Sequence, residues 1–346
     1  MLQGHPKSLT FTHGFWYVEP CLTLLKWLLE PSYPSVRYWA LRDIEGKEPG
    51  DAEVSAAQDG IMESPQVRAI LAAQKPGGWW EDERDMYLPK YTATTHSLLI
   101  LAELGAKRTP AIERAVEHIF RFQRNSGHFL INLPATEKGK ASSVKDGCCI
   151  DGNILYYLIH FGYLGDSRTR LLLDFIASYH DSEGAGWRCR SYPINPANVF
   201  SKNCYMGAAK MLRSLSTIPP QGMRGEIQAI IGREAENMLE NGVYRYLRNP
   251  DGTRKDKAGW KKFGFPLFYQ SDALEVLDTL TRLGYHDSRM QPAVDLVLSA
   301  RQPDGTWLLE NTFNGKMWVN IEEKGRPSKW ITLRALRTLK RLGYTD

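Results

Sequence analysis

The stretch VKDGCCIDGN (144–153) sets two adjacent cysteines between two aspartates, just before a long apolar run. Thiolates and carboxylates are zinc ligands, and a thiolate at a helix N-terminus is also an effective nucleophile. Asp146, Cys148 and Cys149 could therefore hold a metal ion, react with a substrate, or merely begin a helix. Free cysteine is also among the most often buried residue types, so packing as small core residues is the alternative without chemistry.

Three further cysteines, Cys21, Cys189 and Cys204, bring the total to five, and no CxxC spacing brings any of them together locally. The first residues of the chain lack the basic start, uninterrupted apolar centre and small-residue exit of a signal peptide. We therefore expect a cytoplasmic protein with reduced thiols. Only the fold can gather these cysteines.

Composition narrows the class of protein. The chain has 346 residues, 42% of them apolar, and its mean hydropathy is −0.39, which predicts a soluble protein with a large core. The net charge of +5 is modest and dispersed, which disfavours nucleic acid as a partner. No run approaches the roughly 20 apolar residues of a transmembrane helix, so no membrane span is expected.

A two-helix unit repeats along the chain. The segments 103–129, 161–187 and 282–307 each contain a glycine at the end of one apolar helix, a polar turn, a second helix and a turn closed by an aromatic residue. The same register extends to Gly46, to a degenerate copy at Ser216 and to Gly343, in steps of 54 to 68 residues. Such self-similarity is typical of repeat architectures.

The repeat predicts where helices begin and end. Its glycines should stop helices, because the residue after a helix often adopts a left-handed conformation that glycine enters without strain. Ser35, Ser271 and Ser328 precede apolar runs and are predicted N-caps. The helices after the aromatic turns are apolar on most sides, whereas those after the glycines are amphipathic, which predicts an inner and an outer layer.

These features predict an all-α fold in which a closed ring of inner helices lies within a ring of outer helices. The helix expected over 21–30 would be the outer helix that closes the circle. Residues 20–346 would form this single domain, and residues 1–19 an N-terminal extension. An open solenoid is the alternative, but HEAT-type repeats of about 40–47 residues are shorter than the steps here.

Two turns carry a family resemblance. RQPDGTW (301–307), with AAQKPGGWW (72–80) as a weaker copy, resembles the Gln-x-x-x-Gly-x-Trp repeat of squalene–hopene-type cyclases. Over about residues 20–346 the chain resembles the terpenoid cyclase and protein prenyltransferase α/α toroids, which implies an (α/α)6 toroid of six inner helices within six outer ones. It is most similar to bacterial single-toroid proteins described as squalene-cyclase-like or prenyltransferase-repeat proteins. The resemblance implies an enzyme acting on a small hydrophobic substrate, isoprenoid or thiol-bearing, in a central cavity.

In such a ring the N-termini of all inner helices meet at one mouth. This would gather His96, the cysteine pair, Cys204, the segment 269–272 and Trp330, with Cys189 in the adjoining turn. We predict a zinc site formed by Cys149, Cys189 and Cys204, completed by Asp146 or water, with Cys148 as the alternative to Cys149. Small core residues and a reactive thiol without metal remain the other interpretations.

The resemblance also implies zinc. Asp146-Gly147-Cys148 resembles the Asp-Gly-Cys that supplies two zinc ligands in prenyltransferase β subunits. SKNCYMGAA (201–209) is similar to the segment that supplies their histidine ligand, but Lys202 or Asn203 stands at the histidine position here. Because those β subunits require a second subunit, a partner protein or peptide is a further expectation.

Catalysis without zinc is the second hypothesis. The Asp-x-Asp-Asp of alkene-protonating cyclases is absent, and the nearest approach to a magnesium-binding acidic cluster is the run 81–85, interpreted as a solvated charge run. Magnesium is therefore a less favoured cofactor. The catalytic candidates at the mouth are His96, Asp151, Tyr269 and Asp272. Helix capping by the two aspartates, and a satisfied core position for His96, are the alternatives.

Aromatic and basic residues complete the candidates. Tyr205, Phe268 and Trp330 are predicted to line a substrate pocket, whereas Trp187 and Trp307 should brace the turns. Arg334, Arg337 and Arg341 share one stripe of the last helix, which predicts a solvated outer face, with phosphate or acidic-partner binding as the alternative. A non-catalytic binding or scaffold protein is the third functional hypothesis.

Overall fold

Thirteen α-helices have defined bounds in the residues that the computed structural model describes, which are 18–136, 138–139, 147–190 and 203–344, with side chains from residue 23. They are α1 (Val18–Leu28), α2 (Pro34–Asp43), α3 (Ala52–Glu63), α4 (Pro65–Ala72), α5 (Thr94–Glu103), α6 (Pro110–Phe120), α7 (Cys148–His160), α8 (Ser167–Tyr179), α9 (Tyr205–Leu215), α10 (Gly225–Glu240), α11 (Ala273–Arg282), α12 (Gln291–Ser299) and α13 (Lys329–Arg341).

Strands are a minor part of this fold. Two antiparallel pairs join β1 (Leu247–Arg248) to β2 (Arg254–Lys255) and β3 (Trp307–Leu308) to β4 (Pro327–Ser328). The fold of the described residues is therefore mostly α, as the apolar patterning predicts. None of the helices in this part of the chain combines the length and apolar character of a membrane span. The predicted extension lies outside the described residues except for positions 18 and 19.

Six helices, which we call the core helices, contact one another in series. They are α5, α7, α9, α11, α13 and α2, in the order of their contacts. The indole of Trp39 on α2 donates a hydrogen bond of 2.9 Å to the carbonyl of Glu103 at the end of α5. Every residue of α5 is buried, whereas α12 buries only Ala293, Val294 and Val297. This contrast confirms the predicted difference between the two kinds of helix.

A second set of helices flanks the core helices, in the pairs that the repeat predicts. Helix α3 packs on α2, α6 on α5, α8 on α7, α10 on α9 and α12 on α11. Helix α1 contacts α2 and α13, so the helix expected near 21–30 lies against the first and last core helices. One apolar cluster extends through the whole arrangement, from Leu24 to Leu339.

The predicted helix stops are confirmed. Five core helices are followed by a glycine with φ between 71° and 83°, namely Gly46, Gly105, Gly162, Gly284 and Gly343. After α9 the residue is Ser216, which keeps a right-handed conformation. The left-handed glycine ends these helices because the other residue types adopt that conformation only with strain.

Only one of the three predicted serine caps is confirmed. Ser328 accepts a hydrogen bond from the Ile331 amide and caps α13. At α11 the cap is Asp272, one residue after Ser271, because its carboxylate accepts the Glu275 amide. At α2 the predicted cap Ser35 lies inside the helix, since Pro34 occupies the first turn and Tyr33 precedes it.

The turn tryptophans brace the repeats, as predicted for Trp187 and Trp307. Both are fully buried, and each indole donates to a carbonyl of the preceding flanking helix, Ile176 or Val297, at 2.8 and 2.7 Å. Trp80 makes the same bond to Ile70. The glutamine of the turn adds a link between repeats: Gln74 donates to Ala111, and Gln123 donates to Arg168, each at the start of the next flanking helix.

Glycine allows the cysteine-bearing helix α7 to approach α9 closely. A Cβ placed on Gly152 would lie 2.9 Å from backbone atoms of Lys210 and Met211. The same construction at Gly207 overlaps the Cys148 thiol. The two glycines therefore fix how near the backbones of these core helices come, and with them the position of the thiols.

Gly152→Ala is expected to lower the free energy of unfolding by about 1–3 kcal/mol, because its methyl group overlaps a neighbouring backbone that cannot rotate away. Gly232→Ala is the matched control, since Gly232 lies inside α10 and a methyl group added there would have nothing within 4 Å. There alanine should stabilise the helix by up to about 1 kcal/mol. Urea unfolding measures both, and effects of the same sign would contradict the close approach.

Candidate functional site

A cavity of about 180 Å³, which we call the central cavity, lies among the core helices. All six core helices contribute residues to its lining, for example Trp39 from α2 and Tyr156 from α7. Most of its lining residues lie in the C-terminal halves of α5, α7 and α9 and along α11 and α13. Its wall is strongly ionic, with charged residues Glu103, Arg213, Glu275, Asp278, Arg282, Arg334 and Arg337.

One buried ion network joins three core helices at this cavity. The Lys210 ammonium, 1% exposed, donates to both carboxylate oxygens of Glu275 at 2.8 Å. Arg213 pairs with Glu103 and lies 3.5 Å from Glu275. Its guanidinium also lies over the Tyr156 ring, 3.9 Å from the centroid. These charges connect α9 to α5 and α11, and no sequence pattern singled them out.

A second network joins α2, α11 and α13. Arg337 donates to both carboxylate oxygens of Asp278 and, at 2.6 Å, to Asp43. Arg341 adds a bond of 2.9 Å to Asp278. The predicted solvated face of the last helix is therefore wrong: Arg334 is 5% exposed, and α13 has its charged stripe against other core helices.

Two cavity carboxylates, Glu275 and Asp278, are held in their ionised form. Although burial alone would raise it, Lys210, Arg213 and Arg334 hold the pKa of Glu275 below its usual range. Burial would also raise the pKa of Asp278, but Arg337 and Arg341 hold that pKa well below its ordinary value. Carboxylates of this kind bind cations and orient donors, but they do not deliver protons near neutral pH.

The predicted mouth, at the N-terminal ends of the core helices, is closely packed. His96 lies among aromatic rings, with centroids of Tyr87 and Phe268 at 4.7 and 5.2 Å. Together with Tyr269 these residues line a space of only about 10 Å³. Burial, reinforced by Lys90, lowers the pKa of His96 to about 3, so its ring is neutral at physiological pH. Its Nδ1 is buried without a hydrogen-bond partner among the described residues.

The two candidate aspartates have structural partners. Asp151 is fully buried and accepts from the Phe129 amide at 3.0 Å and from Arg190 at 2.8 Å. Asp272 accepts the Glu275 and Gly264 amides, which confirms the capping interpretation. Burial raises the pKa of both carboxyls, that of Asp272 to about 6. Both oxygens of each carboxyl are engaged, which leaves neither aimed into the central cavity.

The cysteines meet between α7, α9 and the turn before α9. A hydrogen bond with the Cys148 thiol is the main reason that the pKa of Cys204 is raised to about 12. Cys204 also forms a hydrogen bond with the Cys189 thiol. Burial raises the pKa of Cys149 to about 12 as well. No group of three or more residues able to hold a metal occurs in the described ranges, and Asp146 lies outside them. The zinc site stays a prediction.

The pocket candidates separate in space. Trp330 lines the central cavity and stacks on Phe265, with centroids 4.0 Å apart. Phe268 lines the small space beside His96. Tyr205 lines neither, because its ring stacks on Tyr246 and its hydroxyl donates to the Val243 carbonyl. The structure thus brings the predicted site residues to several places, and the central cavity lies beside buried charges that were not predicted to face the interior.

No family model and no curated protein matches the chain. A solved protein from Actinoplanes is 15% identical over 90% of this chain and 89% of its own, with a TM-score of 0.45. An arginine-to-alanine variant of the type II terpene cyclase MstE from Scytonema, bound to geranylgeranyl dihydroxybenzoate, is 13% identical over 90% of this chain and 86% of its own, with a TM-score of 0.44. At these values the function has to be argued from the chain's own residues.

Proposed function

We propose that the core helices close into an (α/α)6 toroid, with the flanking helices outside them, and that the central cavity binds a small substrate. One observation carries this proposal: residues from all six core helices line the same space. The serial contacts from α5 to α2, and the bond from Trp39 on α2 back to Glu103 on α5, support the closure.

The cavity wall indicates an amphiphilic substrate. Trp39, Trp330 and Leu333 offer apolar surface, while the arginines and carboxylates offer hydrogen bonds and charge. The volume of about 180 Å³ is below the roughly 300–1,000 Å³ of pockets for drug-sized ligands. We therefore propose that the hydrophobic substrate also has a polar head, and that this head lies in the cavity.

The proposed class is an enzyme of the terpenoid cyclase and prenyltransferase type. Ionised carboxylates at the cavity argue against protonation of an alkene by Glu275 or Asp278, and the backbone bonds of Asp272 occupy both of its oxygens. The lining suits the binding and orientation of a charged group. A transferase or lyase acting on an ionic prenyl compound fits these residues better than a cyclase that protonates a hydrocarbon.

The test compares substrate binding and turnover between the unmodified protein and a variant whose cavity is filled by a larger side chain. Linear prenyl diphosphates, farnesol and squalene are titrated by calorimetry, and mass spectrometry detects products. Ser216→Trp fills the cavity from its rim, while Ser299→Trp is the matched control, because each hydroxyl bonds to the carbonyl three residues earlier but Ser299 is exposed. We expect Ser216→Trp to weaken binding at least tenfold. If both variants retain binding, the cavity is not the binding site. Binding without products would identify a binding protein.

A zinc-dependent enzyme is the second candidate, favoured by the contact of Cys204 with Cys148 and Cys189. The described residues alone do not form a metal-binding group, so any such centre would need Asp146 or another residue outside them. Metal analysis of protein purified without chelator should then give about one zinc per chain, and Cys204→Ser should lose it. Folded, active protein without zinc would contradict this candidate.

A further inference from the structure

Arg334 is buried in the wall of the central cavity without an ionic partner. It is 5% exposed, and its guanidinium makes no hydrogen bond and no ion pair with any residue that the structure describes. The contact it does have is with an aromatic ring, since its guanidinium carbon lies 5.9 Å from the centroid of Phe265. Its donors are therefore available to the cavity that it lines.

Folding alone does not explain this position. A buried charge without a partner is costly, and such charges are usually paired or bound to a ligand. The helix dipole offers no compensation, because Arg334 is the sixth residue of α13, away from the C-terminal turn that attracts cations. The guanidinium acts at a distance on Glu275 and Asp272, where it opposes the effect of burial on the pKa, but neither carboxylate reaches it.

Two further arginines at the same cavity have donor groups without a hydrogen bond. The Nη1 group of Arg213 is buried without a hydrogen bond and lies 3.5 Å from Glu275, while its Nη2 group pairs with Glu103. Arg282 is exposed at the cavity and has no ion pair within the described residues. The carboxylates of the lining, in contrast, are already bonded, Glu275 to Lys210 and Asp278 to two arginines. The side chains of the wall that can still bind a ligand are thus cationic.

We propose that the central cavity holds the oxyanion head of its ligand, a phosphate or carboxylate group, through Arg334, with Arg213 and Arg282 as additional donors. The planar guanidinium fork matches either oxyanion with two parallel hydrogen bonds. A space of about 180 Å³ accommodates such a head with a short attached chain, given about 30 Å³ per water in the liquid. This inference rests on the proposed use of the cavity as the ligand site.

The test is calorimetric titration of the full-length protein with pyrophosphate, inorganic phosphate and acetate at constant ionic strength in chloride. We expect at least one of these oxyanions to bind and to raise Tm by about 3 °C or more near saturation. Arg334→Met should weaken that binding at least tenfold. Arg289→Met is the matched control, because Arg289 pairs with two carboxylates on an exposed surface, and it should leave binding unchanged.

The stability of the ligand-free variant separates a binding role from a structural one. Without ligand, Arg334→Met should melt at or above the temperature of the unmodified protein, because it removes a buried charge that has no partner. A large loss of Tm together with unchanged oxyanion affinity would overturn the proposal. If Arg334→Met does not fold, Arg334→Lys keeps the charge without the fork and should bind the oxyanion more weakly.

Farnesol distinguishes failure of this inference from failure of the proposed function. If farnesol binds in a manner blocked by Ser216→Trp while none of the three oxyanions binds, the cavity is the ligand site and the oxyanion proposal is wrong. If neither farnesol, the prenyl diphosphates nor the oxyanions bind, both proposals are wrong. Oxyanion binding that Ser216→Trp and Arg334→Met leave unchanged would place the anion elsewhere and also overturn the inference.

Discussion

Arg337→Met is expected to lower the free energy of unfolding by about 3–5 kcal/mol, because it leaves two largely buried carboxylates without their main partner. The Arg337 guanidinium bridges Asp278 on α11 and Asp43 on α2, and the side chains of all three are between 9% and 15% exposed. Arg341 remains near Asp278, but nothing replaces the bond to Asp43 among the described residues. Chemical unfolding at neutral pH measures the loss.

The matched control is Arg289→Met. Arg289 also pairs with two carboxylates, Glu236 and Asp287, but its side chain is 41% exposed. Water replaces lost partners there, so each pair contributes less than about 1 kcal/mol. A similar loss in the two variants would show that burial does not decide the effect, and would contradict the inward position of Arg337.

Acid should narrow the difference between the Arg337→Met variant and the unmodified protein. The pKa of Asp278 is held well below its usual range by Arg337 and Arg341 against the effect of burial. A carboxyl with a depressed folded pKa contributes stability that is fully present above its unfolded pKa of about 4 and is lost as the pH falls below it. Unfolding measured between pH 7 and 3 should therefore show a steeper loss for the unmodified protein.

The helical repeat could be predicted because its signals are local. A glycine after each of five core helices and a buried tryptophan in the turn act through the backbone and side chains next to them. Even the displaced cap at Asp272 is a local competition, in which a carboxylate binds the helix N-terminus instead of Ser271. Such features require no knowledge of which helices become neighbours.

The ionic interior could not be predicted in the same way, because its partners are far apart in sequence. On α13 alone, Arg334, Arg337 and Arg341 opposite a leucine stripe look like a solvated face. The carboxylates that Arg337 meets are 59 and 294 positions away. One signal was present: aligned on the repeat glycines, Asp43, Glu103 and Arg341 all stand two or three residues before the stop. Charges of both signs at one register indicate a shared layer of ion pairs.

The thiols illustrate an intermediate case. Their convergence followed from the expected order of the helices, and the structure does bring Cys204 into contact with Cys148 and Cys189. What the thiols do depends on side-chain geometry and on Asp146, which a repeat pattern does not specify. The same limit applied to the mouth, where large rings such as Phe268 leave about 10 Å³ beside His96.

Lys210→Met is expected to lower the free energy of unfolding by about 3–5 kcal/mol, because Glu275 then loses the partner that binds both of its oxygens. Lys210 and Glu275 are 1% and 3% exposed, so water does not replace the ammonium. Lys261→Met is the control, since Lys261 pairs with Asp256 at 3.3 Å on an exposed surface and should cost less than about 1 kcal/mol.

The double variant Lys210→Met with Glu275→Leu isolates the cause of that loss. If the single variant is destabilised by an uncompensated carboxylate, removing the carboxylate as well should restore at least about 2 kcal/mol. Restoration should be incomplete, because Arg213 also interacts with Glu275 at 3.5 Å. A double variant no more stable than Lys210→Met would assign the loss to packing between α9 and α11 and would contradict an ionic origin. Urea unfolding of the four proteins in this cycle at pH 7 gives the coupling energy directly.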